Sequence, residues 1–310
     1  MARGRHSRSE AVDGVLLLNK PAGLTSNQAL QRVKRLLNAR KAGHTGSLDP
    51  AATGMLPLCF GEATKVCAFL LDADKTYRVT AKLGSATDTG DATGSVIETA
   101  ELPQMTAEEW DAVLQGFRGD SQQVPPMYSA LKKDGKRLYE LARKGETVER
   151  EPRPIRIDEI ELLEAAGSRL VFRVHCSKGT YVRSLVEDIA RAAGTVAHTA
   201  RLHRETVAEF EAGEMIDLEA LEETAADGPE PLRASLLPPD RALAGLPELV
   251  LGGADAERFC SGQAIEAGGS AVRGLARVYG EGRSFLGVGE VLPDGRVAPR
   301  RVFGRPGGNP

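Results

Sequence analysis

The chain has 310 residues, 41% of them hydrophobic, and a formal net charge of −3. That length supports a full apolar core and exceeds the size at which chains usually divide, so two domains are expected. No run of about eighteen apolar residues occurs and the N-terminal "MARGRHSRSE" has no apolar stretch, which argues against a membrane span or secretory signal and for a soluble, cytoplasmic protein.

The segment "DGVLLLNKPAGLTSNQALQRVKRLLNARKAGHTG" predicts a short buried strand, a Pro-Gly turn, and a helix capped by Thr25 or Ser26 with Leu30, Val33, Leu36 and Leu37 as its apolar stripe. Between Gly14 and Leu48 stand six bases, Lys20, Arg32, Lys34, Arg35, Arg40 and Lys41, and no acid. Arg32, Lys34 and Arg35 fall largely off the stripe, so the helix presents positive charge just before "GHTGSLDPAATG", residues 43–54. There one carboxylate, Asp49, stands among glycine, threonine and alanine, with Pro50 behind it and apolar "MLPLCFGEATK" downstream. A loop aspartate most often caps a turn. The alternative is an aspartate held toward a substrate, and the spacing leaves both readings open.

Farther on, "YRVTAKLG" alternates Tyr77, Val79, Ala81 and Leu83, and "RLVFRVHC" alternates Leu170, Phe172, Val174 and Cys176. Both patterns predict half-buried strands, with antiparallel pairing expected. Between them, residues 118–156 carry ten bases and six acids and read as an inserted arm. Then "SKGTYVRSLVEDIARAAG" predicts a turn at Lys178–Thr180 and a helix buried through Val182, Leu185, Val186, Ile189 and Ala193, ending at Gly194. Tyr181 and Arg183 flank that helix's N-terminal end. Residues 205–257 hold fourteen acids against two bases, Arg233 and Arg241, a local sum of −12 that leaves +9 on the rest. Most of the chain is therefore basic, as a polyanion partner requires. The Pro-rich stretch 226–249 resembles a linker, and 271–303 alternates like a small Gly-rich β-domain with an Asp-Gly hairpin turn.

Several chemistries are excluded for want of partner groups. "DTG" at 88–90 has polar flanks rather than the packed apolar strand of an aspartic protease, and Thr99 stands where a calcium loop starting at Asp88 needs a bidentate glutamate. There is no GxxxxGK[ST] loop and no HxE with PCxxC, and the five histidines make no metal pair at helical spacing. The four cysteines, Cys59, Cys67, Cys176 and Cys260, are scattered without a CxxC pair, so buried thiols are expected rather than disulfides or zinc.

The stretch "GHTGSLDPAATGMLPLCFGEATK" resembles, nearly residue for residue, the catalytic motif of the bacterial tRNA pseudouridine synthases of the TruB family, which isomerise uridine 55 in the T-loop. "LLLNKPAGLTSN" is similar to the family's N-terminal Lys-Pro motif, "DKTYRVTAKLG" to its tyrosine strand and "VPPMYSALKKDGKRLYELARKG" to its RNA-gripping insertion. "HCSKGTYVRSLVEDIA" resembles the motif with its tyrosine and arginine, and "LGVGEVLPDGRVAPRRV" its C-terminal PUA domain, so the likeness runs from about Asp13 to Val302. It implies an α+β fold: a mixed, mainly antiparallel central sheet flanked by helices over 10–245, a basic RNA-binding arm at about 124–152, and a β-rich PUA-like domain over 246–305. It further implies Asp49 as nucleophile, His44, Tyr77, Tyr181 and Leu202 around a flipped nucleotide, Arg183 paired with Asp49, and Lys20 and Pro21 beneath the loop. The implied partner is the T-arm of tRNA, bound by a monomer with no obligate protein partner and no membrane.

An isomerisation that detaches uracil from the ribose and rejoins it through C5 needs neither cofactor nor metal. A single carboxylate suffices, because departing uracil delocalises its own negative charge, whereas a glycosidase needs a second acid for its leaving oxygen. The competing reading is a protein that grips or folds T-loop RNA without modifying it. The two separate at Asp49, since a pure binder gains nothing from a carboxylate facing a polyanion.

Overall fold

A computed structural model describes residues 9–133, 135–266 and 272–303. Asp134 of the arm and residues 267–271, 304 and 305 of the expected C-terminal domain lie outside the described residues. The main sheet has nine strands: β1 (Gly14–Lys20), β2 (Ala42–His44), β3 (Thr53–Phe60), β4 (Lys75–Leu83), β5 (Gly119–Gln123), β6 (Arg153–Ala166), β7 (Arg169–Cys176), β8 (Ala197–Val207) and β9 (Ile216–Asp217). They run in the order β9-β1-β3-β8-β4-β7-β6-β5, with β2 paired to β3. Two contacts are parallel, β1 with β9 and β3 with β8, and the rest are antiparallel. The fold is α+β, as the sequence pattern and the resemblance led us to expect.

The β3–β8 contact is the middle of the sheet. On one side the predicted alternation of β4 and β7 buries Val79, Ala81, Phe172 and Val174 under the helices Ala107–Gln115 and Val182–Ala192. On the other, Leu16, Leu18, Leu56 and Leu58 pack beneath the helix Ser26–Leu36 through Ala29, Leu30 and Val33. Strand β1 is apolar throughout because its alternate residues, Val15 and Leu17, enter a third core on the opposite face. At the central contact Gly54, at φ +100°, lets the backbones of β3 and β8 approach closely. A Cβ there would lie 2.2 Å from the Arg204 carbonyl oxygen.

A second sheet holds β10 (Glu248–Val250), β11 (Ile265–Glu266), β12 (Gly274–Tyr279), β13 (Phe285–Val291) and β14 (Arg296–Val302) in the order β10-β12-β13-β14-β11. The predicted Asp-Gly turn joins β13 to β14, with Gly295 at φ +85°. This sheet is bonded to the main body: Val288 joins the core of Val15, Phe210 and Leu243, and Tyr279 Oη donates to Asp240 Oδ2 at 2.7 Å.

One expectation needs correction. The stretch read as a linker is packed structure, with Leu232 in the core beneath the first helix and Ala242 and Leu243 in the third core. Leu237 also exchanges backbone hydrogen bonds with Val15 at 2.8 Å, so its leucines plug the sheet edge despite the prolines. Of the cysteines, Cys59 and Cys176 are buried thiols as expected and Cys67 is half-buried, with Cys59 and Cys67 sharing the third core.

Candidate active site

The loop between β2 and β3 is shaped by groups beneath it. Thr25 caps the following helix, accepting from Gln28 N at 3.1 Å, whereas Ser26 holds the loop: its Oγ accepts from Leu48 N at 2.8 Å and donates to Leu48 O at 3.1 Å. Lys20 has no exposed surface, and its ammonium donates to the carbonyls of Pro21 and Leu24, each at 2.8 Å, and of Pro50 at 3.4 Å. Lys20 thus joins the Pro21–Leu24 turn to the Asp49 loop at Pro50, and Pro21 is exposed. Burial lowers the Lys20 ammonium to about 8 against the opposing attraction of Asp49.

The turn at Asp49 is closed by backbone, Ala52 N donating to the Asp49 carbonyl at 3.1 Å. The carboxylate is turned away from it, with Oδ2 3.0 Å from Arg183 Nε. Arg183, on the helix Val182–Ala192, is buried and has no freedom left: Nη1 donates to Thr89 O and Nη2 to Tyr128 O, each at 2.7 Å. One guanidinium thus ties the loop, the 85–99 hairpin and the base of the arm together. Gln123 fixes the start of that helix by accepting from Tyr181 N at 2.8 Å and donating to Tyr181 O at 3.1 Å.

Asp49, Arg183 and Leu202 line one cleft with Ala51, Asp91 and Thr199. A β-bulge between Thr199 and Arg201 interrupts the β8 ladder just before Leu202. Tyr77 and Leu202 pack against both cores that flank the cleft, and Tyr77 stands opposite Arg204 in register. Burial pushes the Tyr77 and Tyr181 phenols above their ordinary values, and the Asp49 charge acts on both in the same direction. His44 does not line this cleft. Burial and the neighbouring Arg204 hold its imidazole below the usual range, so the ring is neutral at pH 7, and its buried Nδ1 has no hydrogen-bond partner among the described residues.

Three features were absent from the sequence reading. Asp91 is a second carboxylate in the cleft, bonded by Thr89 Oγ1 at 2.8 Å, Thr93 N at 2.9 Å and Thr93 Oγ1 at 2.6 Å. Burial raises its carboxyl, but the Thr93 and Thr89 bonds outweigh that and leave it below the ordinary value. Asp91 is thus a fixed anion with no proton to give. Its segment, "GDATG", echoes "LDPAATG" and offered the one signal that could have found it. Arg204 is 1% exposed and donates to Met55 O at 2.7 Å and Gly46 O at 2.9 Å. Thr199 is buried, and its Oγ1 has no hydrogen-bond partner among the described residues.

Burial and, more weakly, Asp91 raise the Asp49 carboxyl above its ordinary value, against the pull of Arg183 and Lys20. Asp49 is thus a carboxyl group oriented by Arg183 and facing a cleft, whose ionised form is able to attack or stabilise an electron-poor carbon.

Comparison with known proteins agrees with this geometry. Residues 34–182 match the family model for the N-terminal domain of TruB family pseudouridylate synthase, 183–244 that for a tRNA pseudouridylate synthase B C-terminal domain, and 247–303 that for the C-terminal part of pseudouridine synthase II TruB. The tRNA pseudouridine synthase B of Pseudomonas putida (strain GB-1) is 50% identical over 293 residues, 94% of this chain and 96% of that one. Its counterpart from Nitrosococcus oceani is 48% identical over 303 residues, 98% of each chain. Among solved structures, a chain in a Cbf5-Nop10-Gar1 complex superposes with a TM-score of 0.75 at 26% identity, covering 94% of this chain and 85% of that chain. With family models spanning nearly all of 34–303 and relatives half identical over almost their full lengths, the chain belongs to the TruB family of pseudouridylate synthases.

Proposed function

We propose that the protein isomerises uridine 55 in the T-loop of tRNA to pseudouridine, with Asp49 as the group that acts on the ribose. The observation that carries this reading is the Asp49–Arg183 pair, a carboxylate pinned at 3.0 Å by an arginine that is itself fully engaged. Cleaving the glycosidic bond develops positive charge on the sugar, which the Asp49 carboxylate meets by attack or by electrostatic stabilisation. Asp91, held ionised, cannot serve as the general acid of a glycosidase, and departing uracil needs none. Tyr77 supplies the aromatic face for the extruded base, which offsets an unstacking cost of roughly a few kcal/mol with about 1–3 kcal/mol of stacking. Leu202 and Tyr181 complete the surroundings of the nucleotide, and His44, outside the cleft, ends the strand that leads into the Asp49 loop. Tritium release from tRNA labelled at uridine C5 tests the assignment; no release from the reduced, RNA-free enzyme would sink it.

Residues 10–245 form the catalytic part in this reading, and 246–305 a PUA-like part adding phosphate contacts through bases such as Arg301. The arm at 124–152 grips the T-arm. Its bases Lys132, Lys136, Arg137, Arg143 and Lys144 are exposed, around a short helix anchored by buried Leu138 and Leu141. Limited proteolysis is expected to cut the arm's tip and spare Tyr128 and Ser129, which are bonded toward Arg183 and Tyr139. Bound tRNA is expected to slow that cut several-fold; equal rates with and without tRNA would remove the clamp.

The single-turnover rate is expected to fall on both sides of neutrality. On the acid side Asp49 gains its proton above the ordinary carboxylate range, because burial raises it. On the alkaline side Lys20 loses its proton near pH 8 and with it one donor to the loop carbonyls. A profile flat to pH 9.5 would separate Lys20 from the working of the loop.

A further inference from the structure

Cys59 lies in β3, fully buried, directly opposite Gly43 of β2. Cys67 begins the helix Cys67–Asp72 and is half-buried. The 3-10 turn Gly61–Val66 folds the chain back between them, so the two side chains enter the same core beside Val15, Leu17 and Leu70. A Cβ on Gly43 would stand 3.6 Å from Cys67 Sγ. Both sulfurs therefore lie against the strand that ends at His44 and opens into the Asp49 loop.

The two thiols are unequal. Cys59 beside it and the nearby Lys41 ammonium hold the Cys67 thiol below its ordinary value despite partial burial, whereas the neighbouring Cys67 and burial push Cys59 up. A half-buried cysteine of lowered pKa beside a fully buried partner is the arrangement of an attacking and a resolving cysteine.

We propose that Cys59 and Cys67 form a reversible disulfide, with small-molecule disulfides or peroxides as oxidant, and that closing it slows the enzyme by shifting the strand Ala42–His44. With glutathione disulfide, the Cys67 thiolate attacks one sulfur, forming a mixed disulfide and expelling one glutathione thiolate. Cys59 then gives its proton to solvent and attacks the Cys67 sulfur, expelling the second. Two protein thiols lose two electrons and two protons, and one small disulfide becomes two thiols. Closure brings the sulfurs to about 2.05 Å of each other. Cys59 is locked in register with Val15 and Gly43, so the movement must pass to the start of the helix and to β2. A displacement of about 1 Å at a positioning strand costs up to about 10²-fold in rate.

The effect on rate rests on the isomerase reading; the disulfide does not. The test treats the whole protein with glutathione disulfide and maps unreduced peptides by mass. A Cys59–Cys67 peptide two hydrogens lighter than the free pair is expected, with single-turnover tritium release lowered about tenfold or more and restored by dithiothreitol. Cys67→Ser, outside the active site, is expected to keep the reduced rate and ignore the oxidant. Two free thiols after oxidation, Cys67 found only as its glutathione adduct, or cross-linked protein at the parent rate would each overturn the proposal. A reduced parent without activity would count against the isomerase reading instead, and peptide mapping would still decide the disulfide.

Discussion

Asp49→Asn is expected to abolish tritium release, by at least about 10⁴-fold in single-turnover rate, while tRNA binding survives. The substitution keeps the size of the side chain and the backbone turn, since Ala52 N bonds the Asp49 carbonyl and not its carboxylate. Were Asp49 only a turn cap, Asn would serve nearly as well. The two readings also differ in stability. Burial raises the Asp49 carboxyl in the folded chain, so an unfolded chain releases that proton at lower pH than the native one. Between those two values the native state holds more protons, and stability falls as pH rises through the window. At neutral pH the ionised carboxylate is thus a net cost, and the Asn variant is expected to melt at or slightly above the parent. A variant that releases tritium at the parent rate, with enzyme saturating, removes Asp49 from the chemistry. One that melts well below the parent restores the structural reading.

How much of this was legible in the sequence depends on how local each cause is. The alternation of β4 and β7 and the stripe of Leu30 and Val33 declare themselves because each residue's burial follows from its neighbours two or three positions away. The choice between Thr25 and Ser26 was not legible, because either hydroxyl can cap; the structure uses Thr25 for the helix and Ser26 for Leu48, 22 residues away. Arg204 reads in "RLHRETV" as an outward charge, yet it is buried. Its acceptors come from Met55 and Gly46, about 150 residues earlier, and no periodicity reports a partner at that separation. The 226–249 stretch misled for a related reason. Its prolines break every period, and the burial of Leu232 and Leu243 is set by the sheet faces they cover rather than by their own spacing. Asp49 was the reverse case, since a carboxylate between Leu48 and Pro50 in so specific a run stands out before any contact is known.

Arg183→Lys is expected to lower the single-turnover rate about 10²-fold and to leave a measurable residue, unlike the loss of Asp49. Lysine keeps the charge but has one nitrogen where Arg183 uses three: Nε on Asp49, Nη1 on Thr89 O and Nη2 on Tyr128 O. The ammonium can follow Asp49 or the two carbonyls, and it cannot span them. If it follows the carboxylate, the Thr89 and Tyr128 carbonyls lose their donors at a cost of about 1–3 kcal/mol, which appears as a lower Tm. If it stays with the carbonyls, Asp49 is unpinned and loses the attraction that opposes its raised pKa, so the acid limb of the rate profile moves to higher pH. Either way the hairpin, the loop and the arm base are no longer joined through one group. Protease cutting is then expected to extend from the arm's tip toward Tyr128. A Lys variant with parent rate, parent Tm and an unmoved acid limb would show that Arg183 is a buried cation without a part in placing Asp49.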